Sequence, residues 1–212
     1  MDINFADFRN SQFFKDVSSF MKAIKGLHEY KHTEGHLAFN VLTIDNDYII
    51  KRKNQNLTLT DNLHVLKQAC FIPHLHFFLN SPYIPENFKN LIIDQWIEVE
   101  TVIQTISQRP IYSLLLICEP GANVDYHDHG NDCKQTITFN YKFFEEKDDS
   151  IEDTVVVLND NKIKMPEIKK TYFTMIDNPR HAARFKEWNF LWVYDFNDYI
   201  NIPNITEFNR VF

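Results

Sequence analysis

Pro120-Gly121-Ala122-Asn123-Val124-Asp125-Tyr126-His127-Asp128-His129-Gly130 is the stretch on which the reading of this 212-residue chain turns. A proline–glycine pair opens it and a glycine closes it, so it reads as a short strand between two turns. Glycine is scarce, with 4 residues, where average usage of about 7% would give about fifteen. Gly121 and Gly130 therefore mark places where the backbone needs its freedom. Alternate side chains of a strand share a face. His127 and His129 are expected to point the same way, close enough to grip one metal ion, and imidazole suits Fe, Zn, Cu or Ni. Asp125 shares that parity and reads as a solvated residue near the strand start, with a site carboxylate as the other reading. Asp128 falls on the opposite face as a turn charge.

Outward from this stretch the chain is a series of short strands: Tyr112–Cys118, Val124–His129, Lys134–Phe144, Thr154–Leu158, Lys162–Met165, Thr171–Ile176, His181–Phe185 and Phe190–Phe196. Turn residues such as Gly130-Asn131-Asp132, Asn159-Asp160-Asn161 and Asp177-Asn178-Pro179 separate most of them. Eight strands at this spacing suggest a sandwich or barrel. Their number and length fit a jelly roll, the double-stranded β-helix, in a mainly β chain with flanking N-terminal helices. A third metal ligand must come from elsewhere in such a fold. His181 is the candidate, since it follows the turn Asp177-Asn178-Pro179-Arg180 and begins a strand.

Upstream, Pro82 and Pro85 open a helix from about Glu86 to Ser107. Phe88, Leu91, Ile92, Trp96, Val99, Ile103 and Ile106 form one stripe on it, suited to packing on a sheet. Ser11 caps an earlier helix carrying Phe14, Val17, Phe20 or Met21, Ile24 and Leu27. Leu37 to Ile44 and Tyr48 to Lys51 read as strands around Asp45-Asn46-Asp47, and Asn54 to Thr60 as a polar loop. The organisation expected is a helical and mixed region over 1–110, a barrel over 111–200 and a tail over 201–212, all within one structural domain. His74-Leu75-His76 repeats the two-residue spacing without a glycine turn before it and reads as ordinary core or surface histidine.

A chain that is 44% hydrophobic and 24% charged is neither disordered nor fibrous. Its longest apolar run, Ile111 to Cys118, is strand-length, so no membrane partner is expected. A net charge of −7 argues against nucleic acid as a partner. Three cysteines without close pairing suggest a reducing compartment. With no basic-then-apolar leader pattern, the expected location is cytoplasmic. Phosphate-binding glycine loops, nucleophile elbows and zinc-finger spacings are missing from the sequence.

Gly121, five residues, His127, one residue and His129 resemble the first motif of the cupin superfamily, and Pro179-Arg180-His181 is similar to its second. The usual glutamate after the His-x-His is replaced by Gly130-Asn131-Asp132-Cys133; Cys133 is either a substitute thiolate ligand or a small buried residue. Pro-Gly-x-x-Val-x-x-His127, with His181 and the closing strand Phe190-Leu-Trp-Val-Tyr-Asp195, further resembles the aspartyl/asparaginyl β-hydroxylase branch of the iron(II)/2-oxoglutarate oxygenases, over roughly residues 112–196. That resemblance implies Fe(II) held by His127, His129 and His181, 2-oxoglutarate as cosubstrate, and hydroxylation of a small-molecule or peptide substrate. It also makes a homodimer through helices outside the barrel one expectation. His129 stands where most such oxygenases carry a carboxylate.

A 2-oxoglutarate site needs a cation for the far carboxylate, and Glu187-Trp188-Asn189-Phe190-Leu191 offers none. The substitutes are Lys134 and Lys142, with Thr136 beside them, or Arg184. Lys134, Thr136, Thr138, Asn140 and Lys142 share one strand face, which is either solvated or lines the barrel. Arg184 should point away from the face of His181. Three readings stay open: a 2-oxoglutarate oxygenase, a cupin-type dioxygenase or isomerase without 2-oxoglutarate, and a non-enzymatic jelly-roll binding module.

Overall fold

Tyr112-Ser-Leu-Leu-Leu-Ile-Cys118 is apolar at nearly every position, so a strand built from it needs cover on both faces. The computed structural model describes residues 3–19, 35–41, 74–144, 149–202, 205 and 207–211, and in it that strand is sandwiched. Leu115 and Ile117 are fully buried under helices, while Leu114 and Leu116 pack on the other side among Cys118, Val156, Phe173 and Val193.

The elements in chain order are α1 (Phe5–Asn10), a helical segment over 12–19, β1 (His36–Asn40), α2 (Leu75–Asn80), α3 (Glu86–Ile103), β2 (Tyr112–Cys118), β3 (Asn123–His127), β4 (Gln135–Phe143), β5 (Val155–Leu158), β6 (Asn161–Lys164), β7 (Lys170–Ile176), β8 (His181–Arg184), β9 (Trp188–Phe196) and β10 (Asn209–Arg210). One sheet has the order β1-β2-β9-β4-β7-β10 and the other β3-β8-β5-β6. Without the flanking β1 and β10, two four-stranded antiparallel sheets remain, and the chain passes back and forth between them. That connectivity is the jelly roll, or double-stranded β-helix.

All eight strands expected of the barrel are present, with no end moved by more than two residues. The β5–β6 hairpin turns on Asn159 (φ 45°) and Asp160 (φ 68°), the left-handed pair that a two-residue hairpin prefers. The region over 201–212 is more than a tail, because β10 pairs in parallel with β7. The helix expected to reach Ser107 ends at Ile103, where Thr105 and Ile106 donate backwards to Val102 and Ile103 in tighter turns. The second half of the strand begun at Leu37, the strand at Tyr48, the loop at Asn54 and the far half of the first helix lie outside the described residues.

Two apolar cores result. The outer one joins α1, α2 and α3 to the face of the large sheet that points away from the barrel cavity, where Trp96 stacks on Trp192 with ring centroids 6.4 Å apart. The inner one fills the barrel with Val156, Met165, Phe173, Met175, Phe185 and Leu191. Among the described residues no helix is long and apolar enough to cross a membrane.

Candidate metal centre

His127 ends β3, His181 opens β8, and the two are cross-strand partners. Val124 pairs with Ala183. Three steps on β3 therefore match two on β8, which is a β-bulge. Simple alternation from Val124 would turn Tyr126 inward. The bulge changes the phase, so Val124 and His127 both line the barrel, while the Tyr126 ring lies under Arg180 with its hydroxyl near Asp160.

His129 lies past the end of β3, so strand alternation does not orient it, and that expectation is corrected. Gly130 turns the chain with φ 87°, a conformation open to glycine at little cost. Asn178, itself at φ 46° in the β7–β8 turn, clamps the loop. Its Oδ1 accepts the His129 amide at 2.8 Å and its Nδ2 donates to the Gly130 carbonyl at 2.6 Å. The three histidines converge all the same, with ring centroids 4.3, 4.9 and 5.3 Å apart.

Every Nδ1 in the group has an oxygen partner. That of His127 meets the Asp125 carbonyl at 2.7 Å, that of His181 the Pro179 carbonyl at 3.0 Å, and that of His129 the Asp195 carboxylate at 2.6 Å. Carbonyl and carboxylate oxygens only accept, so each ring donates Nδ1–H and keeps its lone pair on Nε2. The Nε2 atoms of His129 and His181 then face each other at 3.2 Å. Two lone pairs at that distance repel unless a cation lies between them. Two nitrogens about 2.1 Å from one ion and about 100° apart would be separated by about this distance. Candidate ligand atoms of all three histidines lie within 4.8 Å of one another. Burial first, then the neighbouring His127, pushes the His181 imidazole down to about 4, which keeps it in the neutral form a metal binds. The donor set fits a divalent transition metal.

Asp195, on β9 opposite Thr136 of β4, is 3% exposed. Its Oδ1 accepts from both His129 and the Thr136 hydroxyl, the latter at 2.7 Å. Cys133 lies 3.4 Å from that hydroxyl, and burial raises its thiol above the ordinary range. A thiol kept protonated is a poor ligand, and Cys133 groups with His129 and Asp195 rather than with the three-histidine cluster. The Asp125 carboxylate belongs to neither group.

The three histidines border a barrel cavity of about 70 Å³, walled by Leu114, Leu116, Phe173, Leu191 and Val193 with the polar Thr138 and Asn140. The polar face of β4 thus turns inward. Of the residues expected to hold a cosubstrate, only Thr136 reaches the histidines, as a support for Asp195. Lys134 is exposed, its Nζ 5.8 Å from the Tyr199 ring. Lys142 is buried six residues further along β4, about 20 Å away, donating to the Pro166 carbonyl. Arg184 pairs with Glu152 at 2.7 Å. Among the described residues, no lysine or arginine lines the cavity. His74 and His76 stand apart, at the start of α2, where the His76 ring bonds Asn80.

Sequence reasoning gives no role to Asp195 or Asn178, and places Asn140 only on a strand face left open between solvent and barrel. A carboxylate inside the otherwise apolar or aromatic run Phe190–Phe196 is the available signal for the first. Asn178 looks like any turn residue.

No protein-family model matches the sequence, and no curated protein matches it. Solved structures resemble the fold distantly. A cupin superfamily protein from Desulfitobacterium hafniense is 13% identical over 42% of this chain and 71% of its own, at a TM-score of 0.31. A cupin domain from Bordetella pertussis is 10% identical over 47% and 90%, at 0.30. OsALKBH1 is 12% identical over 55% and 67%, at 0.30. The fold assignment rests on the strand order, not on these scores.

Proposed function

We propose that the protein is a mononuclear metalloenzyme in which His127, His129 and His181 hold one Fe(II) and a small substrate meets it from inside the barrel, without 2-oxoglutarate. The observation carrying this reading is the convergence of three histidine rings whose Nδ1 atoms are all engaged. Iron in such a site supplies oxygen activation and one-electron chemistry. The chain's own part is to orient the imidazoles through Asp125, Asp195 and Pro179, and to exclude water with apolar walls. Acid–base chemistry would need a positioned titratable side chain. Among the described residues lining the cavity, only the three histidines titrate, which favours oxidative chemistry over hydrolysis or isomerisation.

The 2-oxoglutarate dependence implied by the β-hydroxylase resemblance has less support. Among the described residues no lysine or arginine lines the cavity, so the far carboxylate of a dicarboxylate held there would lack a lining cation, and an unpaired buried charge is costly. Anaerobic Fe(II) reconstitution followed by nitric oxide tests the reading. One iron per chain is expected, with a half-integer-spin EPR signal from its nitrosyl adduct that disappears in His127→Ala and does not change with 2-oxoglutarate. A visible charge-transfer band on adding 2-oxoglutarate would restore the oxygenase reading. Failure to retain any metal would leave a binding module.

A further inference from the structure

We infer that Asn140 reads the far end of the substrate, and that this substrate is a small molecule with a metal-binding head, an apolar middle and an uncharged hydrogen-bonding tail. The inference rests on the proposed metalloenzyme reading. Asn140 lies on the inward face of β4, two alternations beyond Thr136, which supports His129 through Asp195. It is 0% exposed, and among the described residues neither its Oδ1 nor its Nδ2 has a hydrogen-bond partner. Its neighbours on β9 and β7 in the ladder are Leu191 and Thr171. A buried amide with both its donor and its acceptor unsatisfied is rare and calls for an explanation. It lines the same cavity as the three histidines.

The dimensions and wall chemistry narrow the ligand. A cavity of about 70 Å³, at about 10–15 Å³ for each water-sized group, holds about five to seven non-hydrogen atoms. Leu114, Leu116, Phe173 and Val193 form part of its wall, so a charged segment against them would go unpaired. A carboxamide offers one donor and one acceptor, and matches the free Nδ2 and Oδ1 of Asn140. Among the described residues that line the cavity there is neither a lysine or arginine to pair a carboxylate tail nor a carboxylate to pair an ammonium tail, and Lys142, the next inward residue of β4, is engaged with the Pro166 carbonyl.

Three thiols of equal size test this on the cobalt(II)-loaded protein, where thiolate coordination is read in the visible spectrum. They are 3-mercaptopropanamide, 3-mercaptopropanoate and 3-methylbutane-1-thiol. The amide should bind at least about tenfold tighter than the carboxylate, and Asn140→Leu should remove about tenfold of the amide's affinity. The hydrocarbon's affinity should hold or rise, and the thermal midpoint should not fall, because a leucine side chain at this position leaves no buried amide unpaired. Asn140→Ala provides the same comparison if the leucine variant does not accumulate. Tightest binding of the carboxylate, unchanged amide affinity in both variants, or a marked fall in the leucine variant's thermal midpoint would overturn the assignment of Asn140. Cobalt that fails to bind the wild-type chain would instead overturn the metal site, and this inference with it.

Discussion

The Asp195 carboxylate accepts a 2.6 Å hydrogen bond from the Nδ1–H of His129 and another from the Thr136 hydroxyl. Such a partner fixes the tautomer and raises the basicity of the ligating nitrogen. Asp195→Asn keeps the volume but loses the charge, and an asparagine can present its amide to Nδ1, which favours the wrong tautomer. Metal affinity, measured by competition with a chelator, should fall about 10- to 100-fold while the far-ultraviolet spectrum stays unchanged. An unaltered affinity would make Asp195 a packing residue. At this scale the sequence was informative about histidines and uninformative about what aims them. His127, His129 and His181 stood out by spacing next to turns. The carboxylate lies 66 residues from His129 along the chain, and only the Thr136–Asp195 register brings it close.

Among elements, α3 carries the polar ties between the helical layer and the large sheet. Glu98 accepts from the Tyr141 hydroxyl of β4 at 2.6 Å and from Lys170 of β7 at 2.7 Å. Burial alone would raise its carboxyl, but hydrogen bonds from Lys170 and Tyr141 outweigh it and hold the group below its ordinary value of 4.5. A carboxyl lowered on folding adds stability that is complete above the unfolded value and is lost as pH falls through the folded one. Glu98→Gln should therefore cost about 1–2 kcal/mol at neutral pH and flatten the acid limb of a stability-against-pH curve below about pH 4.5. Equal losses at pH 3 and pH 7 would contradict the assignment. Strands and the amphipathic helix were legible because their periodicities differ. The β3 bulge was not, since one extra residue leaves no mark in composition. It nevertheless reverses the parity argument at Asp125, which the alternation rule had placed beside the histidines.

For the molecule as a whole, the division into two cores separates stability from chemistry. The large sheet is apolar on both sides, with Phe139, Trp192 and Tyr194 turned to the helices and Leu191 and Val193 turned to the cavity. Trp96→Ala, in the outer core, should cost about 3–5 kcal/mol in denaturant unfolding and leave the metal affinity of the folded protein unchanged. A matching loss of metal affinity would show that the cores are not independent. Jelly-roll connectivity was readable from eight short strands and their turns. The lining of the barrel was not, because a polar face such as that of Thr136, Thr138 and Asn140 looks the same in sequence whether it meets solvent or a cavity.

X-ray absorption at the metal edge of the iron-loaded protein tests the central claim most directly. Three imidazole nitrogens bound to one ion, falling to two in His181→Ala, is the result this account requires. A first shell with one imidazole or none, or a wild-type spectrum unaltered by that substitution, would contradict it.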